Sequence, residues 1–461
     1  MNNKLDRRRF LKSSLLTTAS ISLLPAFGEE TDAALKVQAT PKARVPGANG
    51  DIRCAVVGFN GRGKEHLSAI REAKGARLVA LCDVDQSVLG RETKKASDAG
   101  EKLQGYTDIR KLLANPDIDV VTFATPNHWH ALGAIWAIQA GKDVYLEKPV
   151  SHNVWEGRQI VNAARKYGRI VQTGTQSRSS SGIAEGIQYV RDGHIGKILR
   201  ARGLCYKRRG SIGKVPGPQP IPAGVDYDLW CGPAPKEPLM RKRLHYDWHW
   251  VWPTGNGDLG NQGIHEMDVA RWALGVQELS SRVLCLGGRV GYEDDGTTPN
   301  TLIAYHDYPA APLVYEVRGL PASADAEKMD NYHGAGVGIV VECEGGLLVI
   351  PSYSTANVVD PQGKEIKKFS GSSSHMENFL AAVRSRKTTD LHADILEGHL
   401  SSALCHTANI SYRLGQPQSA EAIQDAVKNN PDLTEMLGRM EKHLAANKVD
   451  LRKTRPRWVP C

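Results

Sequence analysis

The stretch Val56–Ile70, VVGFNGRGKEHLSAI, decides the fold of this chain. The apolar run that leads into it predicts a strand buried on both faces, and the residues after it predict a helix. Gly-x-Gly-x-x-Gly between a strand and a helix is the fingerprint of a dinucleotide-binding turn. Gly58 and Gly63 hold its first and third positions, whereas Asn60 takes the second and Gly61 follows it. The stretch therefore predicts a nucleotide-binding turn with one altered position.

The altered turn keeps the properties that hold a pyrophosphate. Asn is the residue other than glycine that best tolerates positive φ, so we expect Asn60 to hold the turn and its amide to donate to a phosphate oxygen. Gly61 and Arg62 lie at the start of the predicted helix, whose free N–H groups favour an anion. All three residues are therefore predicted to contact the cofactor.

An acidic residue ends the second predicted strand. Asp83 follows ARLVALC about 20 residues after Gly63, and an acid at that position accepts hydrogen bonds from the adenosine ribose. Such an acid repels a 2′-phosphate, so the sequence favours NAD as the cofactor and leaves NADP open. The alternative for Asp83 is a helix N-cap.

Strand-like and helix-like segments alternate from residue 51 to about 175. This alternation predicts a doubly wound parallel sheet, an NAD-binding Rossmann domain. In residues 176–461 several strands follow one another without helices, and the end of the chain is mostly helical. We therefore expect a C-terminal α+β domain with an open, largely antiparallel sheet and terminal helices, serving the substrate and oligomerisation.

The N-terminus has the features of an export signal in the expected order. DRRRFLKSS contains a twin-arginine pattern, an apolar stretch follows from about residue 15 to 27, and AFG at 26–28 resembles a cleavage site. This predicts a twin-arginine signal peptide over 1–28, a linker over 29–50 and a periplasmic protein. The apolar stretch is shorter than the roughly 20 residues of a membrane span, so membrane integration is not expected. The alternative is an arbitrary basic N-terminus that forms an amphipathic helix.

The composition is that of a soluble globular protein, with 41% hydrophobic and 24% charged residues. The net charge is +9, of which +4 comes from residues 1–28, and no long basic run remains. This argues against a dedicated nucleic-acid-binding protein. The eight cysteines form no CxxC pair and no Cys/His set with zinc spacing, so no metal site is predicted.

Three blocks of the chain resemble one family. They are VVGFNGRGKEH, ATPNHWHALGAIWAIQAGKDVYLEKPVS and GDLGNQGIHEMDVARWALG. Their order and spacing resemble the Gfo/Idh/MocA family, the relatives of glucose–fructose oxidoreductase and inositol dehydrogenase. The resemblance implies a Rossmann domain, a C-terminal domain whose open sheet faces the nicotinamide, and a sugar or cyclitol hydroxyl as the usual substrate. It also implies a homo-oligomer, a dimer or tetramer.

The resemblance also assigns residues. It implies that Lys148 in EKP is the active-site lysine, whose lowered pKa would let it polarise a hydroxyl or relay its proton. The alternative is a solvated surface lysine. His130 matches a histidine that is usually structural. Cofactor contacts are implied for Thr125, Pro126, Asn127, His128, Glu147, Lys148 and Gln176.

The third block departs from the family at one position. Many relatives have Asp-x-x-x-His, where the acid serves the histidine, but this chain has Asn261 and His265. Asn cannot take a proton, so an Asp–His relay is excluded, while His265 still suits acid–base catalysis near neutral pH. We expect His265 to be catalytic and both residues to contact substrate. Asp268, one turn later, is a candidate to orient His265, although this is also ordinary helix spacing. The alternative for His265 is a packed or surface histidine.

Three further residues are predicted to contact substrate. Trp248 and Trp250 lie in HYDWHWVWPTGNG, and indole rings stack on the apolar faces of sugars. The alternative is a strand whose tryptophans fill the core. Arg178 in GTQSRS is expected to meet an anionic or highly hydroxylated substrate.

These residues predict hydride transfer from a ring carbinol carbon to a nicotinamide, with Lys148 and His265 taking the hydroxyl proton. Because no ready pool of free NAD exists outside the cytoplasm, we expect a tightly bound cofactor. The alternative is an NAD-dependent glycoside hydrolase that uses transient oxidation, elimination, hydration and re-reduction, as glycosidases resembling this family do. A third class is a binding protein that retains a vestigial site.

Overall fold

A parallel sheet of six strands begins the fold. The computed structural model describes residues 50–451 and 453–458. The strands lie in the order β3-β2-β1-β4-β5-β6, which is the predicted doubly wound arrangement. Their bounds are β1 Ile52–Val57, β2 Ala76–Cys82, β3 Gln104–Tyr106, β4 Val120–Phe123, β5 Asp143–Leu146 and β6 Val171–Thr173. The strand order reverses between β1 and β4, so a ligand crevice is expected at the carboxyl ends of these two strands.

Twelve α-helices occur among the described residues. Their bounds are α1 Gly63–Glu72, α2 Gln86–Asp98, α3 Ile109–Leu113, α4 Asn127–Gln139, α5 Val154–Tyr167, α6 Ser181–Arg191, α7 Tyr227–Cys231, α8 Ile264–Leu274, α9 His375–Ser385, α10 Ile395–Leu414, α11 Ala420–Val427 and α12 Pro431–Ala446. Successive residues of β1 face opposite sides of the sheet. Cys54 and Val56 pack with α1 and α9, whereas Ala55 and Val57 pack with α3, α4 and α5. Helices therefore cover both faces, which explains the apolar run of β1.

The second sheet has ten strands in the order β14-β13-β12-β11-β7-β10-β9-β8-β16-β15. The pair β7–β10 is parallel and the other described pairs are antiparallel, so the largely antiparallel sheet is confirmed. The bounds are β7 Ile198–Tyr206, β8 Arg282–Gly288, β9 Thr301–Asp307, β10 Leu313–Arg318, β11 Val337–Cys343, β12 Gly346–Ile350, β13 Thr355–Val359, β14 Glu365–Ser370, β15 Gln416–Pro417 and β16 Arg457–Trp458.

Helices α8 and α10 bring the two sheets to one site. Helix α10 contributes Ile395 to the core beneath the first sheet and Leu404 to the core beneath the second. Helix α8 follows a π-helical turn, Leu259–Gly263, and packs against α10 and β7. The end of the parallel sheet and the start of α8 are thus held together by a shared, buried helix.

Some expectations fall outside the described residues or differ from the structure. The predicted signal peptide, 1–28, lies outside them, as does the predicted linker except for residue 50. All described residues of the fold belong to one compact unit, and the boundary at residue 175 stays a prediction. Strands β3, β13, β14, β15 and β16 were not predicted. None of the described helices is long and apolar enough to cross a membrane.

Candidate active site

Two glycines, and not Asn60, build the nucleotide-type turn. Gly58 has a φ of +76°, and a Cβ there would lie 2.9 Å from the backbone nitrogen of Thr125. A Cβ at Gly63 would collide with the carbonyl oxygen of Gly58. The expectation that Asn60 holds the turn by a positive φ is wrong, because the left-handed residue is Gly58. Asn60 Oδ1 instead accepts a 3.4 Å hydrogen bond from Arg91. The glycines let α1 start against the end of β1.

The start of α1 is open to an anion. No side chain caps this helix, and a Cβ at Gly61 would meet nothing within 4 Å. The N–H groups of Lys64 and Glu65 bond the carbonyls of Gly61 and Arg62, each at 3.0 Å, so those of Gly61, Arg62 and Gly63 are the ones that can face a phosphate.

Asp83 lies beside the turn at the end of β2. Its carboxylate accepts from the backbone N–H of Phe59 at 3.3 Å and of Asp85 at 3.0 Å. Since a carboxylate offers about four lone-pair positions, it can still accept from ribose hydroxyls. Burial raises the pKa of Asp83, against the effect of these hydrogen bonds. The N-cap alternative is wrong, because Asp85 caps α2.

The end of β4 presents a hydroxyl that no protein group uses. Thr125 Oγ1 is buried and has no hydrogen-bond partner among the described residues. Pro126 precedes α4, and Asn127 at its start donates to Asn256 Oδ1 at 2.9 Å. A buried hydroxyl without a partner is costly unless a ligand satisfies it. Thr125 therefore suits contact with a hydroxylated ligand, while the side chain of Asn127 links to the second half of the chain.

His128 and His130 hold the backbone in place. His128 Nε2 lies 2.9 Å from the carbonyl oxygen of Trp230, and His130 Nδ1 lies 2.6 Å from that of Pro149. Burial lowers the pKa of both, to about 4 for His128. The ring of His128 is thus used within the protein, and any cofactor contact falls to its backbone. His130 has the structural surroundings that we expected.

Protein donors enclose the carboxylate of Glu147. Oε1 accepts from Arg62 Nε and from His66 Nε2, each at 3.1 Å, and Gln176 Nε2 lies 3.4 Å away. Burial disfavours the ionised form, but His66 and Arg62 outweigh it and hold the pKa of Glu147 well below its usual range. Arg62 also pairs with Glu65, so it links the glycine-rich turn to the end of β5. The cofactor contacts of Arg62, Glu147 and Gln176 stay predictions.

Lys148 reaches from the first sheet to the start of α8. Its Nζ donates to the backbone carbonyl of Asn261 at 2.7 Å. Asn261 belongs to the π-helical turn, and such turns are frequent at functional sites. Burial lowers the pKa of Lys148, although the nearby Glu147 opposes this. Lys148 is half-buried rather than a solvated surface charge, and it loses its proton more readily than an exposed lysine.

His265 is a buried imidazole with an uncommitted nitrogen. It is 7% exposed, and Nδ1 has no hydrogen-bond partner among the described residues. Burial and, after it, the charge of Lys148 lower the pKa of His265 to about 3. The ring is therefore neutral at pH 7, and a pKa this far below neutrality suits it to hydrogen-bond a hydroxyl rather than to hold its proton. Its edge faces Tyr353, with ring centroids 5.3 Å apart.

Arg178 and Asp268 neutralise each other in the interior. Arg178 Nε donates to both oxygens of Asp268, at 2.8 and 3.0 Å, and Nη2 lies 3.0 Å from Glu397. Ser401 also donates to Asp268, at 2.7 Å. Asp268 therefore does not orient His265, and that expectation is wrong. Nε of Arg178 is committed to Asp268, whereas Nη2 has an ion-pair distance to Glu397 but no hydrogen bond among the described residues, so the substrate contact of Arg178 stays a prediction.

Trp248 and Trp250 lie in a short 3₁₀ turn, which excludes the strand alternative. Trp250 is buried beneath the guanidinium of Arg209, 5.0 Å from the ring centroid. Trp248 stacks on His249 with centroids 3.6 Å apart. Burial, with a smaller contribution from the charge of Lys148, lowers the pKa of His249 to about 3. The turn thus lies within electrostatic reach of the lysine, and the substrate contacts of the two tryptophans stay predictions.

Three further residues of this site, Gln262, Glu266 and Tyr353, are not predicted from the sequence. Glu266 is 3% exposed and accepts from Gln262 Nε2 at 2.9 Å, and the same nitrogen lies 3.0 Å from the hydroxyl of Tyr353. Burial raises the pKa of Glu266 to about 8, against the Gln262 hydrogen bond and the charge of Lys148. Strongly shifted groups cluster at functional sites. The four-residue spacing of Gln262 and Glu266 is the one local feature of the sequence that indicates a contact between them. No local feature of the sequence indicates that Tyr353 belongs to this site. No group of three or more metal-ligating side chains is formed by the described residues.

Two family models match consecutive parts of the chain. The Gfo/Idh/MocA model described as oxidoreductase family, NAD-binding Rossmann fold, matches residues 52–175. The model for the C-terminal alpha/beta domain of the oxidoreductase family matches residues 197–295. The first match covers the parallel sheet, and the second contains β7, the π-helical turn and α8.

Individual relatives match over about a third of the chain. Glycosyl hydrolase family 109 protein 2 of Shewanella sp. (strain ANA-3) is 32% identical over 171 residues, 34% of this chain and 37% of that protein. Inositol 2-dehydrogenase of Salmonella typhimurium is 29% identical over 157 residues, 34% of this chain and 46% of that enzyme. The chain thus matches less than half the length of these relatives. The WlbA dehydrogenase from Bordetella pertussis, solved with NADH and UDP-GlcNAcA, is 19% identical, with a TM-score of 0.57 over 79% of this chain and 96% of that one. This last likeness concerns the fold.

Proposed function

We propose that this chain, which belongs to the Gfo/Idh/MocA oxidoreductase family, oxidises or reduces a hydroxyl of a sugar, cyclitol or glycoside with a nicotinamide cofactor. The observation that carries the proposal is the 2.7 Å hydrogen bond from Lys148 Nζ to the Asn261 carbonyl. It joins the end of β5 to the turn that precedes His265. An amine and an imidazole, both with lowered pKa values, therefore share the ligand edge of a nucleotide-type sheet. Proton transfer to and from a carbinol needs such a pair.

The residues of the first sheet fit a nicotinamide dinucleotide. The uncapped start of α1 after Gly58 suits the pyrophosphate, Asp83 suits the adenosine ribose, and the unpartnered hydroxyl of Thr125 suits the nicotinamide half. Asp83 favours NAD, with NADP as the alternative. When bound, the cofactor supplies a carbon that accepts or returns a hydride.

Lys148 and His265 assist the removal and the return of the proton of the substrate hydroxyl. In the oxidative direction that proton passes to Lys148, whose lowered pKa lets the amine act as a base, and the neutral imidazole of His265 hydrogen-bonds the substrate oxygen. In the reductive direction Lys148 returns the proton. The carbonyl of Asn261 keeps the amine directed towards the start of α8 in both directions.

Glycoside hydrolysis by the same site is the second candidate, favoured by the similarity to glycosyl hydrolase family 109 proteins. In that reaction oxidation of a ring hydroxyl acidifies the neighbouring C–H, the aglycone is eliminated, water adds and the ring is reduced again. The cofactor then ends each turnover in its starting redox state, which suits a protein without access to free NAD.

We also propose export by the twin-arginine route to the periplasm and a dimeric or tetrameric assembly. The export proposal rests on DRRRFLKSS and the apolar stretch after it. Replacing Arg8 and Arg9 by lysine should keep the protein in the cytoplasm, as measured by cell fractionation. A native mass spectrum should give two or four subunits, each carrying one dinucleotide.

The deciding experiment incubates the purified protein with free sugars, cyclitols and p-nitrophenyl glycosides without added cofactor. One equivalent of NADH with a keto-sugar supports the oxidoreductase. Repeated release of nitrophenol without lasting NADH absorbance supports the hydrolase. Lys148→Ala is the control and should abolish either signal. Catalysis that survives Lys148→Ala and His265→Ala would contradict the proposed site.

A further inference from the structure

Tyr353 lies where the buried site meets solvent. It follows β12 and precedes β13, and it is 48% exposed. Its ring nevertheless faces the buried ring of His265, at a centroid distance of 5.3 Å and an angle of 82°. A half-exposed aromatic residue against the candidate catalytic histidine forms part of the approach to that histidine.

The hydroxyl oxygen of Tyr353 accepts a hydrogen bond from Gln262, so the hydroxyl hydrogen remains available for donation to a ligand. Gln262 Nε2 lies 3.0 Å from the Tyr353 oxygen and 2.9 Å from Glu266 Oε1. An amide nitrogen has two hydrogens and no lone pair to offer, so both oxygens accept from it. None of the described residues accepts a hydrogen bond from the Tyr353 O–H.

Glu266 fixes the orientation of Gln262 because its own position is fixed by packing. A Cβ on Gly203 of β7 would lie 2.7 Å from the ring of Tyr315 and 3.1 Å from Cβ of Glu266. The glycine thus leaves room for both side chains between β7 and α8. The hydroxyl of Tyr315 lies 3.5 Å from the second oxygen of Glu266. The hydrogen bond to Glu266 therefore holds the amide group of Gln262 in place, and the second hydrogen of its Nε2 points to the hydroxyl of Tyr353.

Two adjacent residues of the π-helical turn, Asn261 and Gln262, hydrogen-bond the amine of Lys148 and the phenol of Tyr353. The Asn261 carbonyl accepts from Lys148, and the Gln262 side chain donates to Tyr353. Both contacts originate in five residues whose geometry is fixed by the start of α8. The turn thereby sets the positions of the amine and the phenol relative to His265.

We propose that Tyr353 binds the carbohydrate through a hydrogen bond from its phenol to a hydroxyl other than the one oxidised, with Gln262 as its positioning residue. This inference rests on the proposed function and adds a specificity-determining residue from the second sheet. A planar donor at the entrance selects substrates by the position of a second hydroxyl, because a site built to hydrogen-bond an OH rejects the analogue that lacks it.

The experiment uses the full chain saturated with NADH and, as probes, myo-inositol and the methyl α- and β-glucosides, followed by monodeoxy derivatives of the probe that binds. Affinity is measured by calorimetry on this complex, which does not turn over because NADH cannot accept a hydride from a carbinol. KM and kcat are measured with NAD⁺ in place of NADH. Tyr353→Phe should weaken binding and raise KM about tenfold, the range of one net hydrogen bond. The NADH affinity should stay unchanged. Tyr189→Phe, an aromatic residue stacked on His194, is the matched control and should behave as wild type.

The deoxy series separates a hydrogen bond from a structural role. One deoxy derivative should lose about tenfold on the wild type and less than twofold on Tyr353→Phe. Gln262→Leu should reproduce the loss, and the double variant should lose no more than either single one. Equal affinity of wild type and Tyr353→Phe for every probe overturns the inference and leaves the proposed function standing. A wild type that binds none of the probes and is also inactive on every sugar, cyclitol and glycoside of the assay above overturns both.

Discussion

The buried carboxyl of Glu266 makes the stability of this protein depend on pH in a defined direction. Burial raises its folded-state pKa to about 8, whereas a glutamate in an unfolded chain titrates near 4.3. Between these values the folded state keeps a proton that the unfolded state has lost. The free energy of unfolding therefore falls as the pH rises through this window.

The size of the effect follows from the two pKa values. Within the window each pH unit lowers the free energy of unfolding by up to about 1.4 kcal/mol, and less near the two pKa values, so a change from pH 5 to pH 8 removes about 3.5 kcal/mol. Glu266→Gln keeps the oxygen that accepts from Gln262 but cannot ionise. The variant should therefore gain about 3.5 kcal/mol over wild type at pH 8 relative to pH 5. For a chain of this length that corresponds to about 4 °C in the apparent Tm.

Differential scanning calorimetry of wild type and Glu266→Gln at pH 5 and pH 8 measures the effect. Glu365→Gln, at an exposed position in β14, is the control and should shift the Tm equally at both pH values. A Tm difference between Glu266→Gln and wild type that is the same at both pH values, or larger at pH 5, would refute the reasoning.

Three further predictions concern the cofactor and the reaction. Lys148→Met should lower kcat/KM about 100- to 10,000-fold, which is the usual contribution of acid–base catalysis. Its NADH affinity, measured by fluorescence titration, should change less than about threefold. A parallel loss of kcat/KM and of NADH affinity would assign the lysine to cofactor binding instead. Gly63→Ala should abolish NADH binding in the same titration, because the new Cβ would collide with Gly58, whereas Gly90→Ala, at an exposed position of α2 where a Cβ meets nothing within 4 Å, should bind as wild type does; equal effects would contradict the turn geometry. Asp83→Ser should reduce the preference for NAD over NADP at least about tenfold in calorimetric Kd values, and an unchanged ratio would remove Asp83 from the ribose site.

The elements of this fold were predictable where the signal is local. The apolar strands and the glycines at 58 and 63 follow from hydrophobic burial and from the close approach of α1 to β1. The prediction for the altered position is wrong, because the positive φ of the turn is adopted by Gly58 and not by Asn60. Asp83 and Asp85 both suit an N-cap, and only the backbone geometry distinguishes them.

The candidate site was predictable only in part, because several of its contacts join distant segments. The ion pair of Arg178 and Asp268 spans 90 residues, and no local pattern indicates it. Glu266 resembles an exposed helical charge until the packing around Gly203 shows that it is buried. Tyr353 lies 91 residues from its partner Gln262. Long-range packing, and not local propensity, decides which polar side chains of α8 face the site.

The most direct test is a crystal structure of the full chain with NADH. The dinucleotide should cross the carboxyl ends of β1 and β4, with its nicotinamide ring within contact distance of Lys148 and His265. A dinucleotide bound elsewhere, or a ring that faces away from both side chains, would rule out the proposed function.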